Sequence, residues 1–255
     1  MASKEPHEKA DDGDLTSAPR QKFQRTEEED YGYYFYPQRS GSEEVKSFWR
    51  SLWGRTGADN FRCEANVVWC MENNPMVKLL SRALKSHGCE VNLRRHISCE
   101  NCLEKVNGGF DPTTNQVVIC QNNVKKRNTC CNVLAHEFIH AFDSCRAKVD
   151  FEDLHHLACT EIRAANLMHC SFLTAVAAGD ASSINIKQRH AQCVKSKALQ
   201  SVLMVRNVPI EKAMVIVDSV FDKCYNDLEP VGRRPRKNSR DPERALLEGQ
   251  YYGYS

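Results

Sequence analysis

The residues best placed to do chemistry are His136, Glu137 and His140 in the run HEFIH. Side chains four apart share one face of a helix, so the two histidines present imidazole nitrogens to one point, as a tetrahedral zinc site requires. Glu137 is turned about 100° from His136. It is poorly placed to bind the same ion but can reach a water beside it, which fits a general base for peptide hydrolysis. The surrounding stretch, Cys130 to Ala147 (CCNVLAHEFIHAFDSCRA), contains no Pro or Gly. Its apolar residues Val133, Leu134, Phe138, Ile139 and Phe142 fall at the spacing of a largely buried helix.

A catalytic zinc takes three protein ligands and keeps one position open, so a third ligand must come from elsewhere. The metzincin pattern is excluded. It needs Gly three residues and His six residues past the second histidine, where this chain has Asp143 and Arg146. The favoured third ligand is Glu161 in CTEIRAANL (159–167), on a second helix whose background of Leu157, Ile162, Ala165 and Leu167 is apolar. A glutamate in such a face is rarely left without a partner. Asp143 is the alternative ligand; otherwise it orients an imidazole as a hydrogen-bond acceptor. The competing assignment for Glu161 is an ion pair with Arg163 or Arg146, which would leave zinc with two ligands. His155 and His156, just ahead of the second helix, are candidate donors to a developing oxyanion.

Several elements must hold these groups. Residues 74–87 put Met76, Leu79, Leu80, Ala83 and Leu84 on one helical face, closed by Gly88. EVNLRRHI (90–97) alternates like a strand. Residues 108–121 read as a β-hairpin, GGFD and QVVICQ around a Pro/Thr/Asn turn. QVVICQ would then be the sheet edge beside the cleft, where an extended peptide could add as a further strand. Residues 187–206 and 209–228 form later helices, the first basic on its polar side, which suits either solvation or an anionic membrane surface. The chain is thus an α+β protein with a small antiparallel or mixed sheet, an active-site helix and C-terminal helices. Residues 1–45 read as a disordered acidic extension, 46–228 as the globular domain and 229–255 as a disordered tail. The Tyr-rich patch YGYYFYP (31–37) within the extension is expected to pack on the domain, with partner binding as the alternative.

Composition narrows the class. The 255 residues are 41% hydrophobic and carry a formal charge of +2. Residues 1–45 hold 11 acidic and 6 basic side chains, and residues 228–255 hold 4 acidic and 6 basic, leaving about +5 for the middle. That bias is too small for the basic stripe of a direct nucleic-acid binder. No apolar run approaches the ~20 residues of a spanning helix. The N-terminus has neither a secretory apolar core nor the Arg-rich, acid-poor character of a transit peptide. Thirteen cysteines are many for a reducing compartment, and an odd number leaves at least one thiol unpaired. Cys89-x9-Cys99 and Cys120-x9-Cys130 resemble pairs oxidised in the mitochondrial intermembrane space. Cys99-x2-Cys102 lacks the second ligand pair of a structural zinc site, which favours disulfides. Cys130 and Cys131, adjacent on a helix, must bond to other segments if they bond at all.

The combination GGFD, VVICQN, HEFIHAFDSCR, HHLACTEIRAANL with Cys170, CVKSKAL and FDKCYNDLEP resembles the mitochondrial inner membrane metalloproteases of the ATP synthase assembly pathway, also called the Ku-binding family. The likeness covers about residues 46–230. It implies a zincin-like endopeptidase binding one catalytic Zn2+, peripheral to the inner membrane on its intermembrane-space side. The implied substrate is the precursor of a mitochondrially encoded Fo subunit of ATP synthase, with prohibitin-type or other assembly partners. Matched to the family's motifs, His136 and His140 are zinc ligands, Glu137 the catalytic glutamate, and Glu161 the glutamate of the EIRA motif. The resemblance also implies that most cysteines are disulfide-bonded. The alternatives to proteolysis are a non-proteolytic assembly chaperone and a nuclear adaptor of a DNA-end-binding complex.

Overall fold

The computed structural model describes residues 55–102, 106–171, 183–236 and 238–255. The acidic extension at 1–45, with its Tyr-rich patch, lies outside them. Helix α1 (Arg55–Asn73) leads into α2 (Pro75–Ser86), a start set by local chemistry. The Asn74 carboxamide accepts the backbone N–H groups of Met76 and Val77, and Pro75 occupies the first turn, where its missing N–H costs nothing. The expected apolar face of α2 is buried, and Gly88 ends it with φ +84°.

Residues 90–97 depart from the expected strand. The Asn92 side chain caps a short helix, α3 (Leu93–His96), by accepting from Arg94 and Arg95, and β1 (Ile97–Glu100) begins only after it. Strand β2 (Gly108–Asp111) and β3 (Gln116–Cys120) form the antiparallel hairpin. The strand order is β1-β3-β2, with β1 parallel to β3. QVVIC is therefore the centre of the sheet, and β2 is the edge. The period-two pattern could not reveal this, because a chain that returns to pair β1 in parallel takes its register from tertiary contacts. Gly108 sits where a Cβ would lie 2.6 Å from the Val118 carbonyl oxygen and 2.7 Å from Val133, so only glycine lets β2 approach the next helix this closely.

That helix is α4 (Arg127–Arg146), followed by α5 (Leu154–Ala164), a π-helical turn (Ala165–His169), α6 (Ser183–Val205), α7 (Ile210–Asn226) and α8 (Asp241–Tyr251). Two apolar clusters result. One joins α1, α2, the sheet and α4; the other joins α5, α6 and α7. The mixed sheet and surrounding helices make the described chain α+β.

Residues 229–255, expected to be a disordered tail, are ordered against the first cluster. Val231, Ala245 and Tyr254 are buried in it, and a Cβ on Gly249 would meet Leu79 at 2.6 Å. Polar composition hid this because the tail's cations are locally neutralised. Arg236 binds Asp241 through two nitrogens, and Arg234 stacks over Tyr225 while donating to Asn166.

Six disulfides cross-link the chain: Cys63–Cys99, Cys70–Cys131, Cys89–Cys145, Cys102–Cys120, Cys159–Cys224 and Cys170–Cys193. The x9 spacings do not mark pairs, since each of those cysteines bonds elsewhere except Cys130, which is the free, buried thiol. Cys99 and Cys102 likewise bond to different partners.

Candidate active site

Helix α4 packs within the first cluster and turns Val133, His136, Glu137 and His140 into a cleft of about 700 Å3. The cleft's other walls are β2 with its flanking residues, α5, and the face of α6 bearing Lys197, Gln200, Ser201 and Met204. From α5 and the π turn, Leu157, Glu161, Ala165 and His169 line it at intervals of four. On a regular α-helix this spacing drifts about 40° per step, since four residues exceed the 3.6 of one turn. The π turn, with Cys170 N–H donating to the Ala165 carbonyl, has a wider i to i+5 loop that drifts the other way and keeps His169 in the cleft.

The ring nitrogens and carboxylate converge as the two-helix reading expected. His136 Nε2 and His140 Nε2 are 3.1 Å apart, and the Glu161 carboxylate lies 3.6 Å from His140 Nε2 and 3.9 Å from His136 Nε2. One donor atom from each of the three falls within 4.8 Å of the others. Glu161 Oε2 is buried with no hydrogen-bond partner. Two imidazoles and a carboxylate with an orphaned oxygen fit a divalent metal of zinc's ligand preferences, because a cation would supply the missing partner.

Arg146 and Arg163 do not take up Glu161. Arg163, 1% exposed, donates through Nε to Asp143 at 2.9 Å and reaches the Asp227 carboxylate at 2.5 Å. Arg146 binds Asp143, Asp227 and Glu229. Asp143, the alternative ligand, is thereby held outside the donor cluster by two guanidinium groups. Its reach to the site is indirect: Thr160 Oγ1 donates to Asp143 Oδ2 at 2.8 Å and faces His140 Nδ1 at 2.9 Å. With its hydrogen committed to Asp143, the hydroxyl can only accept from Nδ1–H, so His140 Nε2 is left as a bare lone pair facing the cluster. His136 has a matching arrangement, with Nδ1 2.8 Å from His169 Nε2.

Sequence reasoning missed both Thr160 and His169. Thr160 adjoins Glu161 and carried no motif signal. His169 shared the four-residue interval of Leu157, Glu161 and Ala165, a signal that was present. His155 and His156 do not line the cleft; their backbone N–H groups cap α5 on Asp153.

Burial sets the charge states. It lowers the pKa of His136 well below the usual 6.5 and that of His140 to about 3, with neighbouring histidines adding to the effect, so both rings are neutral and able to donate lone pairs. Burial raises Glu161 to about 7 against a hydrogen bond from Ser201. It raises Glu137 well above the carboxylate range, assisted by the charge of Glu161 and opposed by the Phe110 backbone N–H. Phe110 belongs to the edge strand, so β2 touches the carboxylate that faces the cleft.

A helix presenting two histidines and a glutamate, with a second glutamate delivered from the next helix, defines a metallopeptidase type of site. The model of the peptidase M76 family, a family of metallopeptidases, matches residues 61–232, and the chain belongs to that family. Among its relatives, the mitochondrial inner membrane protease ATP23 homolog of Danio rerio is 44% identical over 83% of this chain and 81% of the relative. The Homo sapiens homolog of the same name is 46% identical over 71% and 73%. The mitochondrial inner membrane protease ATP23 of Yarrowia lipolytica is 32% identical over 68% of each. No solved structure matches the chain.

Proposed function

We propose that this chain is a zinc-dependent endopeptidase of zincin-like fold, peripheral to the mitochondrial inner membrane on its intermembrane-space side. The observation that carries the peptidase reading is the convergence of His136, His140 and Glu161 beside Glu137 at the floor of an open cleft. These three side chains would hold the ion, with Asp143 acting through Thr160 and His169 acting directly to fix the two rings. A zinc ion so held supplies Lewis acidity that acidifies water and polarises a peptide carbonyl. Glu137 is the proton carrier: its carboxylate accepts a proton from the attacking water and returns it to the leaving amine. Its proton affinity, raised by burial, suits both halves of that transfer. The substrate backbone lies along the free edge of β2, where main-chain hydrogen bonds give affinity with little sequence selection.

The names of the relatives support the mitochondrial inner membrane as its place. Six disulfides support an oxidising compartment, which favours the intermembrane space over the matrix. The precursor of a mitochondrially encoded Fo subunit as substrate, a role in ATP synthase assembly and prohibitin-type partners rest on the family resemblance. The test is zinc content and peptide cleavage measured on purified wild type, Glu137→Gln and Glu161→Ala. Glu137→Gln is expected to keep zinc and lose cleavage, and Glu161→Ala to lose zinc. Wild-type cleavage by Glu137→Gln would refute the assignment. Rescue of ATP synthase assembly in cells by the inactive Glu137→Gln chain would instead favour the chaperone reading.

A further inference from the structure

The turn between α6 and α7 exposes an apolar surface that extends beyond the peptidase cleft. Met204, Val205, Ile210, Met214 and Val215 are each between 49% and 69% exposed, within twelve residues of one another. Such a cluster of large apolar side chains on a folded surface marks an interaction site. The turn is anchored in place, since Arg206 donates to the Phe151 carbonyl and pairs with Glu152 in the loop ahead of α5. Met204, Val205 and Arg206 also line the mouth of the cleft, whereas Ile210, Met214 and Val215 do not.

Charge identifies the occupant. Residues 183–215 contain six basic side chains and one acidic, a net +5 against +2 for the whole chain. Helix α6 contributes Lys187, Arg189, Lys195 and Lys197 and has no acidic residue. At the turn, Lys212 stands beside Glu211; Lys195 pairs with Asp218, and Arg206 with Glu152. Among the described residues, the other exposed apolar groups near cations, Leu93 beside Arg94 and Arg95 and Trp69 under Arg127, are only 36–37% exposed and do not form a cluster of this size. Leu247, Tyr251 and Tyr252 lie on or beside α8, which has three acidic residues and one basic; Phe61, Val68 and Trp69 lie on α1, which has three acidic and two basic.

We infer that the α6–α7 turn docks the protein on an anionic bilayer surface, its apolar side chains entering the interface while the basic side chains nearest the turn, Lys197 and Lys212, meet lipid headgroups. A peptide partner would be expected in a groove, but this surface is a projecting helical turn, the shape an interface-bound element presents to lipid. Because Met204 to Arg206 belong both to this turn and to the cleft mouth, docking holds the cleft against the membrane, where it meets polypeptide emerging from the bilayer. This placement of the cleft rests on the peptidase reading above; the docking itself does not.

The test is co-flotation of the full chain with vesicles of phosphatidylcholine alone and of equimolar phosphatidylcholine and phosphatidylglycerol. Wild type is expected to float with the anionic vesicles only and to be released by salt, since screening weakens exposed charge pairs. The double substitution Ile210→Glu with Met214→Glu is expected to reduce flotation at least about tenfold, and Lys212→Glu roughly fivefold or more. Both variants should retain zinc content and cleavage of a soluble peptide. Leu247→Glu on α8 is expected to float like wild type. Wild type that ignores anionic vesicles, or an unchanged double variant, overturns the proposal. So does a double variant that floats normally yet loses soluble-peptide cleavage, which would assign the surface to a polypeptide. Vesicle binding by a wild-type chain that holds no zinc would defeat the peptidase reading and leave the docking surface standing.

Discussion

Thr160→Val isolates the relay behind His140. The hydroxyl accepts from His140 Nδ1 at 2.9 Å and donates to Asp143 at 2.8 Å, and all three residues are buried. Valine fills nearly the same volume, so packing is preserved and two hydrogen bonds are lost. Asp143 keeps its bonds to Arg163 and Arg146 and is not orphaned. The loss therefore falls on His140. Without metal, the ring escapes by moving its proton to Nε2, where the Glu161 carboxylate lies 3.6 Å away. Binding zinc at Nε2 forces the proton back to Nδ1, now buried without an acceptor, at a cost of about 1–3 kcal/mol. At 1.4 kcal/mol per factor of ten, zinc affinity should fall about 10- to 100-fold, with a smaller change in the stability of the metal-free chain. Competition against a chelator of known affinity measures the first quantity, and denaturant unfolding of the stripped protein the second. Thr160→Ser, which restores the hydroxyl, should recover most of the affinity. Zinc binding by Thr160→Val within about twofold of wild type would refute the relay.

Two further outcomes follow from cross-links and charge states. Removing the Cys70–Cys131 bridge with paired alanines opens a link between residues 61 apart in sequence; loop-closure entropy puts the loss at about 4 kcal/mol, readable as a lower denaturation midpoint. For pH, a folded carboxyl with a raised pKa binds its proton more tightly than the unfolded chain does, so its stabilisation is complete below about 4.5 and is lost as pH rises through about 7. The depressed His136 and His140 act oppositely, adding stability as pH rises towards 6.5, in the case of His140 from about 3. The stripped protein should therefore lose stability from about pH 6.5 upward, where only the carboxyl contribution of Glu161 and Glu137 is changing. A zinc-loaded sample should lose less, because the ion takes the ionised Glu161 and leaves only the Glu137 contribution. A stripped-protein melting temperature that rises across that interval would contradict the buried carboxyl assignment.

The sequence by itself determined whatever rests on short-range periodicity and turn chemistry. HEFIH within an uninterrupted apolar pattern fixed the helix and the shared face of His136 and His140, because the 3.6-residue repeat acts over a few turns. The Pro/Thr/Asn turn fixed the hairpin, and Gly88 the end of α2, for similarly local reasons. The apolar setting of Glu161 marked it as needing a partner, but which partner depended on where the arginines went. Asp227 and Glu229, more than sixty residues away, take Arg163 and Arg146 and leave Glu161 to the histidines. Disulfide pairing, the central position of β3, the burial of the polar tail and the arrival of His169 beside His136 were likewise decided only by the tertiary structure. Each depends on residues brought together across long loops, and no repeat along the chain records the contacts that three-dimensional packing makes favourable.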